Sequence, residues 1–194
     1  MRRVKLQKGG PRAALLLALA LLLTASAALW LPRAASADIP WGAGCAPLAV
    51  GEARTAANCG ASLVDGEAIP PPGAPPVVKR AIRAANEIRH RPYIWGGGHR
   101  GWLSRGYDCS GAVGYALHGA GLLNVTMVSG QLEYWGEAGS GRWISVYANR
   151  QHVFMVVAGL RFDTRGNPVG VSGPRWHRGW VEPTGFTVRH PPDL

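Results

Sequence analysis

The sequence predicts an α+β fold in which helices come first and a mostly antiparallel sheet follows. Two segments with helical spacing of apolar residues lie at 77–90 and from residue 109 onward. Beyond them, short runs of β-branched and aromatic residues are separated by Gly, Asn and Pro, which is the pattern of strands and turns. Helices grouped ahead of strands are typical of α+β domains, in which helices pack on an antiparallel sheet.

The first helix is predicted over residues 77–90. Its apolar residues recur at three- and four-residue intervals, and charged residues take the other side. Pro92 is expected to end this helix, because proline disfavours the helical conformation of the residue before it. Residues 93–98, with the sequence YIWGGG, are then predicted to run as an extended segment into a glycine turn.

The second helix is predicted to start near Cys109. Ala112 and Val113 begin its apolar stripe three and four residues later, so the thiol is expected to point toward the buried face at the first turn. Four strands are predicted after this helix, at 142–148, 152–158, 160–163 and 185–190.

The N-terminus has the order of residue types found in secretory signals. Five of the first 12 residues are basic, residues 13–31 are almost wholly apolar, and residues 35–37 supply a small-residue cleavage site. We therefore predict a signal peptide at 1–37 and a secreted or envelope location. The alternative is an uncleaved anchor, because the 19 apolar residues are long enough to span a bilayer.

Residues 38–76 are predicted to be a short N-terminal segment that ends in a proline-rich linker, ahead of a catalytic domain at 77–194. Cys45 and Cys59 lie 14 residues apart in this segment. In an oxidising compartment they are expected to form a disulfide, which in the chain-entropy model contributes about 3 kcal/mol. The alternative is two free thiols. If they pair, Cys109 remains as the odd cysteine, which marks it as a candidate reactive thiol.

Charge and motif content exclude several classes of function. Six of the 21 basic residues and none of the 11 acidic ones lie in the first 37 residues, so the rest of the chain carries a net charge of only +4. That value fits approach to an anionic wall or membrane surface but predicts no nucleic-acid partner. The sequence has no CxxC, HxxxH, phosphate loop or dinucleotide fingerprint, so we predict no metal and no cofactor.

Three residues have the types and positions needed for nucleophilic catalysis. At a helix N-terminus, the Cys109 thiolate would be stabilised by free N–H groups and by the helix dipole. His152 opens an apolar strand and is the candidate base. If residues 158–159 form a two-residue turn, Asp163 lies diagonal to His152 on the same face and can orient the imidazole, whereas a one-residue slip would present Thr164. Four other histidines, at 90, 99, 177 and 190, are interpreted as solvated.

These residues lie in a pattern that resembles the NlpC family of bacterial cell-wall cysteine peptidases. The pattern consists of Tyr93-Ile94-Trp95-Gly96-Gly97, then Tyr107-Asp108-Cys109-Ser110-Gly111, then a strand that opens with His152-Val153. The set of three blocks is specific, and it spans about residues 77–190.

The resemblance implies a compact papain-like fold and an enzyme that hydrolyses an amide in peptidoglycan stem peptides. We predict a monomer. In this family the bond is typically the one between D-γ-glutamyl and diaminopimelate. The resemblance implies Cys109 as nucleophile and His152 as base, with a third polar residue on the following strand. It also implies that Tyr93 lies near the thiol and that Asp108 and Ser110 bind the free amine of the peptide.

Two other functions stay open from the sequence. One is a non-catalytic wall-binding protein on the same fold, and the other is a cysteine hydrolase or acyltransferase with another substrate, such as an antibacterial toxin. The chain also departs from the family pattern. It lacks the Pro-Gly-Asp-Leu turn before the histidine strand, and Asp163 stands where the family commonly has His, Asn or Gln.

Overall fold

The structure, a computed structural model, describes residues 60–178 and 183–194. The predicted signal peptide and the predicted disulfide both lie outside the described residues. The described chain contains three helices, α1 (Pro76–Ile88), α2 (Cys109–Ala120) and α3 (Ser129–Leu132), and eight strands, β1 (Ser62–Val64), β2 (Glu67–Ile69), β3 (Glu137–Ala138), β4 (Ile144–Asn149), β5 (His152–Val157), β6 (Leu160–Asp163), β7 (Arg175–His177) and β8 (Thr187–His190). Among these residues, no helix is both long and apolar enough to cross a membrane.

The predicted α+β arrangement is confirmed. Strands β3 to β8 form one six-stranded sheet in the order β3-β8-β4-β5-β6-β7, and the neighbouring strands pair antiparallel. Helices α1 and α2 pack on each other, and α2 packs on β5. The strand β5 is buried along its whole length, so the side chains at its start are shielded from solvent.

Both main helices begin where local chemistry favours a helix start. Helix α1 has Pro76 in its first turn, where the missing N–H costs nothing and the fixed φ is already helical. Helix α2 is capped by the side chain of Asp108, which accepts a hydrogen bond from the backbone N–H of Gly111. It ends at Gly121, whose φ of 81° places it in the left-handed conformation typical of a helix end.

Part of the segment that the sequence assigned to an N-terminal segment and linker is folded. Strands β1 and β2 form a two-stranded hairpin, and Ala68 in β2 is fully buried. The side-chain amide of Asn86 on α1 donates to the Ala68 carbonyl and accepts from the Ala68 N–H, at 2.9 and 3.1 Å. These bonds attach the hairpin to α1, and the domain boundary at 76/77 remains a prediction.

Candidate active site

Cys109 is the first residue of α2, and its thiol is free. The residue is partly exposed and packs against the main hydrophobic core. The Asp108 side chain caps the N–H of Gly111 and the Asp108 carbonyl accepts from that of Ala112. Within the described chain, no residue accepts from the N–H groups of Cys109 and Ser110, so these two donors remain available at the first turn.

His152 begins β5 because the preceding turn holds its backbone in place. Asn149 and His152 are the last pair of the β4–β5 ladder. The Asn149 side-chain oxygen accepts from the N–H groups of Gln151 and His152, at 3.0 and 2.9 Å. His152 is 3% exposed, and its imidazole packs beside the rings of Phe154 and Phe186, each with its centroid 6.3 Å away.

The predicted register between β5 and β6 is confirmed. Val157 pairs with Leu160 across the two-residue turn, and Met155 pairs with Phe162. Asp163 is the next residue along β6, and its Oδ1 lies 2.8 Å from His152 Nε2. Thr164, the alternative, has a buried hydroxyl with no partner among the described residues, so the structure brings Asp163 and not Thr164 to the imidazole.

The imidazole is hydrogen-bonded to the Asp163 carboxylate and lies within electrostatic range of the Cys109 thiol. Burial lowers the pKa of His152, but hydrogen bonds to Asp163 and Cys109 and the negative charges of both groups outweigh burial, and the net pKa is raised above its ordinary value. Because Nε2 faces Asp163, Nδ1 is the ring nitrogen left for Cys109. This tautomer, with the proton on Nε2, allows Nδ1 to accept the thiol proton.

Asp163 is held by more than the imidazole. Its Oδ1 also accepts from the Arg165 backbone N–H at 2.9 Å. Its Oδ2 accepts from Arg161 Nη1 at 2.6 Å, and both side chains of this ion pair are buried. The carboxylate is therefore fixed in position and has a permanent counter-charge.

Tyr93 lies close to the thiol, on the segment that precedes α2. The pKa of its phenol is raised, first by burial and then by the negative charges of Cys109 and Asp108, while the cation of Arg165 opposes the rise. The residue is 39% exposed, so Tyr93 remains accessible to solvent.

Asp108 and Ser110 lie beside the thiol together with a third residue, His99, which the sequence analysis interpreted as solvated. That interpretation is wrong. The His99 side chain is only 20% exposed, and its Nε2 lies 3.1 Å from both Asp108 Oδ1 and Ser110 Oγ. With its proton on Nε2, His99 donates to Asp108 Oδ1, because an unprotonated nitrogen would face the carboxylate with a lone pair. No helical or strand periodicity marks this loop position, so the sequence carries little signal for it.

The carboxylate of Asp108 accepts hydrogen bonds on both oxygens. Oδ1 accepts from Gly111 N–H, Ser110 Oγ and His99 Nε2, and Oδ2 accepts from Gly96 N–H at 3.0 Å. A carboxylate offers about four acceptor positions, two on each oxygen. Oδ2 therefore retains an acceptor position for an arriving ammonium group.

A close contact between two glycine backbones joins the two sequence blocks on either side of the site. The Gly97 carbonyl accepts from the Asp108 N–H at 3.3 Å. A Cβ at Gly111 would overlap the Gly97 carbonyl oxygen and lie 3.0 Å from its carbon. Only glycine at 111 lets the backbones of the two sequence blocks approach this closely. This approach brings Asp108 and Cys109 close to residues 93–99.

The structure therefore brings the predicted residues together as two groups that share Cys109. Cys109, His152 and Asp163 form one, and Tyr93, Asp108 and Ser110, joined by His99, form the other next to Cys109. No group of three or more His, Cys, Asp or Glu side chains suited to a metal occurs in the described part of the chain.

Comparison with known proteins found similarity only at the level of structure. No family model matches the chain, and no curated protein matches it. Similar solved structures include the peptidoglycan hydrolase RipB from Mycobacterium tuberculosis, at 25% identity over 54% of this chain and 66% of that one, with a TM-score of 0.38. The chain thus spans slightly less than two thirds of RipB.

A second similar structure is RipD from the same organism, described as a non-catalytic NlpC/p60 domain protein adapted to peptidoglycan binding. It is 22% identical over 60% of this chain and 98% of that one, with a TM-score of 0.45. Its description names the family that the sequence motifs resemble. Both TM-scores lie below 0.5, so neither structure assigns a function to this chain.

Proposed function

We propose that this protein is an exported cysteine-type hydrolase that cleaves an amide bond in peptidoglycan stem peptides through a thioester intermediate. The observation that carries the proposal is the connected set of Cys109 at a helix N-terminus, a buried His152, and Asp163 at 2.8 Å from its imidazole. A nucleophile, a base and a residue that orients the base are the parts that this chemistry requires.

The reaction follows from the positions of these groups. His152 Nδ1 takes the Cys109 proton, and the sulfur forms a bond to the carbonyl carbon of the substrate amide. The free N–H groups at the start of α2 and the Tyr93 hydroxyl lie near the sulfur and would donate to the oxyanion. The imidazolium then returns its proton to the leaving amine as the C–N bond breaks, which leaves a thioester.

Water completes the cycle. His152 removes a proton from a water molecule, and the hydroxide adds to the thioester carbon. The C–S bond then breaks, the imidazolium returns its proton to the Cys109 sulfur, and the carboxylic acid is released as the second product. The Asp163 side chain keeps Nε2–H directed toward itself in both steps, so that Nδ1 always faces the reacting atoms.

The substrate class rests on the resemblance of the motifs to the NlpC family. Asp108, Ser110 and His99 form a polar cluster beside the thiol, which suits a stem peptide with a free amine. The bond between D-γ-glutamyl and diaminopimelate is the expected target. The predicted signal at residues 1–37 would deliver the enzyme to this substrate.

The proposal is tested by digesting purified sacculi with the wild-type chain and with Cys109→Ala, followed by mass spectrometry of the released peptides. New peptide ends with the wild type alone would support the hydrolase, and their masses would identify the bond. Circular dichroism and thermal melting of both proteins serve as the folding control.

Two other outcomes would overturn the proposal. If neither protein releases peptides and both sediment equally with sacculi, the chain is a wall-binding protein. If neither releases peptides nor binds sacculi, the site acts on a different substrate.

A further inference from the structure

Arg161 is a buried charged residue of β6 that the proposed chemistry does not yet use. It lies two residues before Asp163, so both side chains project from the same face of the strand. Its side chain is 10% exposed, and its guanidinium lies 5.9 Å from the centre of the Phe154 ring, within cation–π range. Its Nη1 donates a 2.6 Å hydrogen bond to Asp163 Oδ2.

We propose that Arg161 is a positioning residue for the catalytic histidine, acting by clamping the second oxygen of the carboxylate that orients it. The inference rests on the proposed function, in which His152 shuttles a proton at Nδ1. With Oδ2 held by the guanidinium, Oδ1 remains directed at His152 Nε2, 2.8 Å away, and the carboxylate cannot rotate away from the ring.

Arg161 also keeps the buried Asp163 carboxylate paired with a positive charge throughout the catalytic cycle. A buried carboxylate needs a counter-charge at every stage. If the imidazolium were the only cation available, the Asp163 carboxylate would lose its counter-charge whenever His152 became neutral, and His152 would release its proton poorly to the leaving amine. Arg161 stays charged at all working pH values, so the carboxylate keeps a partner whether His152 is neutral or protonated.

A purely stabilising role is a weaker explanation of the pair. Buried ion pairs often add little stability, because desolvation of both charges offsets their attraction. Arg161 Nε is also buried without a partner among the described residues, which adds a further cost. A costly cation placed directly on the carboxylate that contacts His152 is explained more simply by its effect on the imidazole.

Several charged or titratable groups surround this pair and have to be held constant in any test. The pKa of His177 on β7 is lowered, mainly by burial and then by the charge of Arg161, so His177 adds no competing cation near neutral pH. The groups that face the pair from neighbouring elements are Cys109, His152, Arg165, Arg175 and His177.

The first experiment measures the protonation of His152 directly by NMR of ¹⁵N-histidine-labelled protein. Cys109→Ala serves as the background, so that the thiol does not contribute, and the His152 signals are assigned by their loss in His152→Gln. Removing Arg161 takes a cation away from the Asp163–His152 pair, which raises the proton affinity of the pair whichever group carries the proton.

Arg161→Met is expected to raise the titration midpoint of His152 by roughly one pH unit. This is the size of the repulsion between the Arg161 and His152 cations, which share the Asp163 carboxylate, at an effective dielectric constant of about 20. Arg161→Lys keeps the charge and is expected to restore most of the shift. Arg80→Met is the matched control, because Arg80 binds the Ala120 carbonyl at the opposite end of α2 from Cys109. A midpoint in Arg161→Met equal to that of Arg80→Met would overturn the proposal.

The second experiment measures kinetics on sacculi or on a synthetic stem peptide. Arg161→Met is expected to lower kcat about tenfold or more with little change in KM, because misorientation of the base affects the chemical step, and Arg161→Lys should recover part of the loss. A loss confined to KM, or a lowered Tm with normal kcat, would contradict a positioning role. If Arg161→Met fails to fold, Arg161→Gln, which keeps a donor without the charge, replaces it.

The two experiments separate the failure of this inference from that of the proposed function. If the wild type releases no wall peptide, the proposed function fails, while the NMR titration still decides whether Arg161 controls His152. If the wild type is active and Arg161→Met matches it in both experiments, only the inference fails.

Discussion

The glycine contact at the start of α2 makes Gly111 the position where one added methyl group should disturb the site most. An alanine Cβ there would overlap the Gly97 carbonyl oxygen and approach Asp108 Oδ1 to 3.2 Å. The obstacle is backbone rather than a flexible side chain, so relief requires residues 96–98 and the helix start to separate. That movement would strain the hydrogen bond from Asp108 N–H to the Gly97 carbonyl.

The size of the effect follows from opposing contributions. Replacing a helical glycine by alanine gains up to about 1 kcal/mol in helix propensity. Overpacking against backbone costs about 1–3 kcal/mol, and weakening one hydrogen bond costs about 1 kcal/mol more. We expect Gly111→Ala to lose about 2 kcal/mol net, which for a chain of this size lowers Tm by roughly 4–8 °C.

Gly114 in the same helix provides the matched control. A Cβ at Gly114 would meet Trp102 and Leu123 at 3.7 and 3.8 Å, which is ordinary van der Waals contact. Neither glycine has a positive φ, so backbone conformation does not separate the two positions. Gly114→Ala gains up to about 1 kcal/mol of helix propensity. We therefore expect it to leave Tm unchanged or to raise it by up to roughly 2–4 °C.

The assay is thermal unfolding of both variants beside the wild type, together with the rate at which iodoacetamide alkylates Cys109, followed on the Cys109 peptide by mass spectrometry. We expect Gly111→Ala to be less stable and to show an altered alkylation rate, because the first turn of α2 carries the thiol. Equal Tm values for the two alanine variants would refute the argument that backbone contact at Gly111 positions the helix start.

Three further predictions concern the ionisable groups of the site. Asp163→Asn is expected to lower kcat by about 10²–10⁴-fold and to destabilise the fold by about 3–5 kcal/mol, because Arg161 loses its buried partner. Recovery of the free energy of unfolding in the double variant with Arg161→Met, measured by urea unfolding, checks the cause. Since the pKa of His152 is raised in the folded state, its contribution to stability is complete below the unfolded pKa of 6.5 and is lost as pH rises through the folded pKa. Urea unfolding between about pH 6 and 9 should show this fall in the free energy of unfolding. We expect a smaller fall in Asp163→Asn, and equal falls in the two proteins would disprove the assignment. His99→Ala removes one donor from Asp108. It is expected to change KM for a free-amine stem peptide by about tenfold, while kcat stays within about threefold of the wild-type value. A change of about tenfold in kcat would instead place His99 in the chemical step.

Local sequence was sufficient to predict the turn that aligns the base with its carboxylate. Ala158 and Gly159 both take positive φ, 47° and 84°, which is the conformation that two-residue hairpins require. With the turn defined, strand periodicity places Asp163 beside His152, and no distant contact is needed. The start of α2 was predictable for a similar reason, because the Asp108 cap and the apolar spacing after Cys109 act within one or two helical turns.

Other elements depend on distant residues and could not be read in this way. The strand β7 is three residues long and is held by pairing with β6, so no local pattern marks it. The hairpin of β1 and β2 is attached to α1 through Asn86, 18 residues from Ala68. Short strands of this kind obtain their stability from partners, and propensity over three residues is too weak a signal.

The sequence by itself determined the α+β order, the helix that carries Cys109, the register that brings Asp163 to His152, and the candidate nucleophile and base. These features depend on periodicity, caps and turns, whose energies act between near neighbours in the chain. Only the tertiary structure showed that His99 joins Asp108 and Ser110 and that Arg161 is buried against Asp163. Those assignments depend on which polar groups share a space from which water is excluded, and that is decided only when helices and sheet pack together.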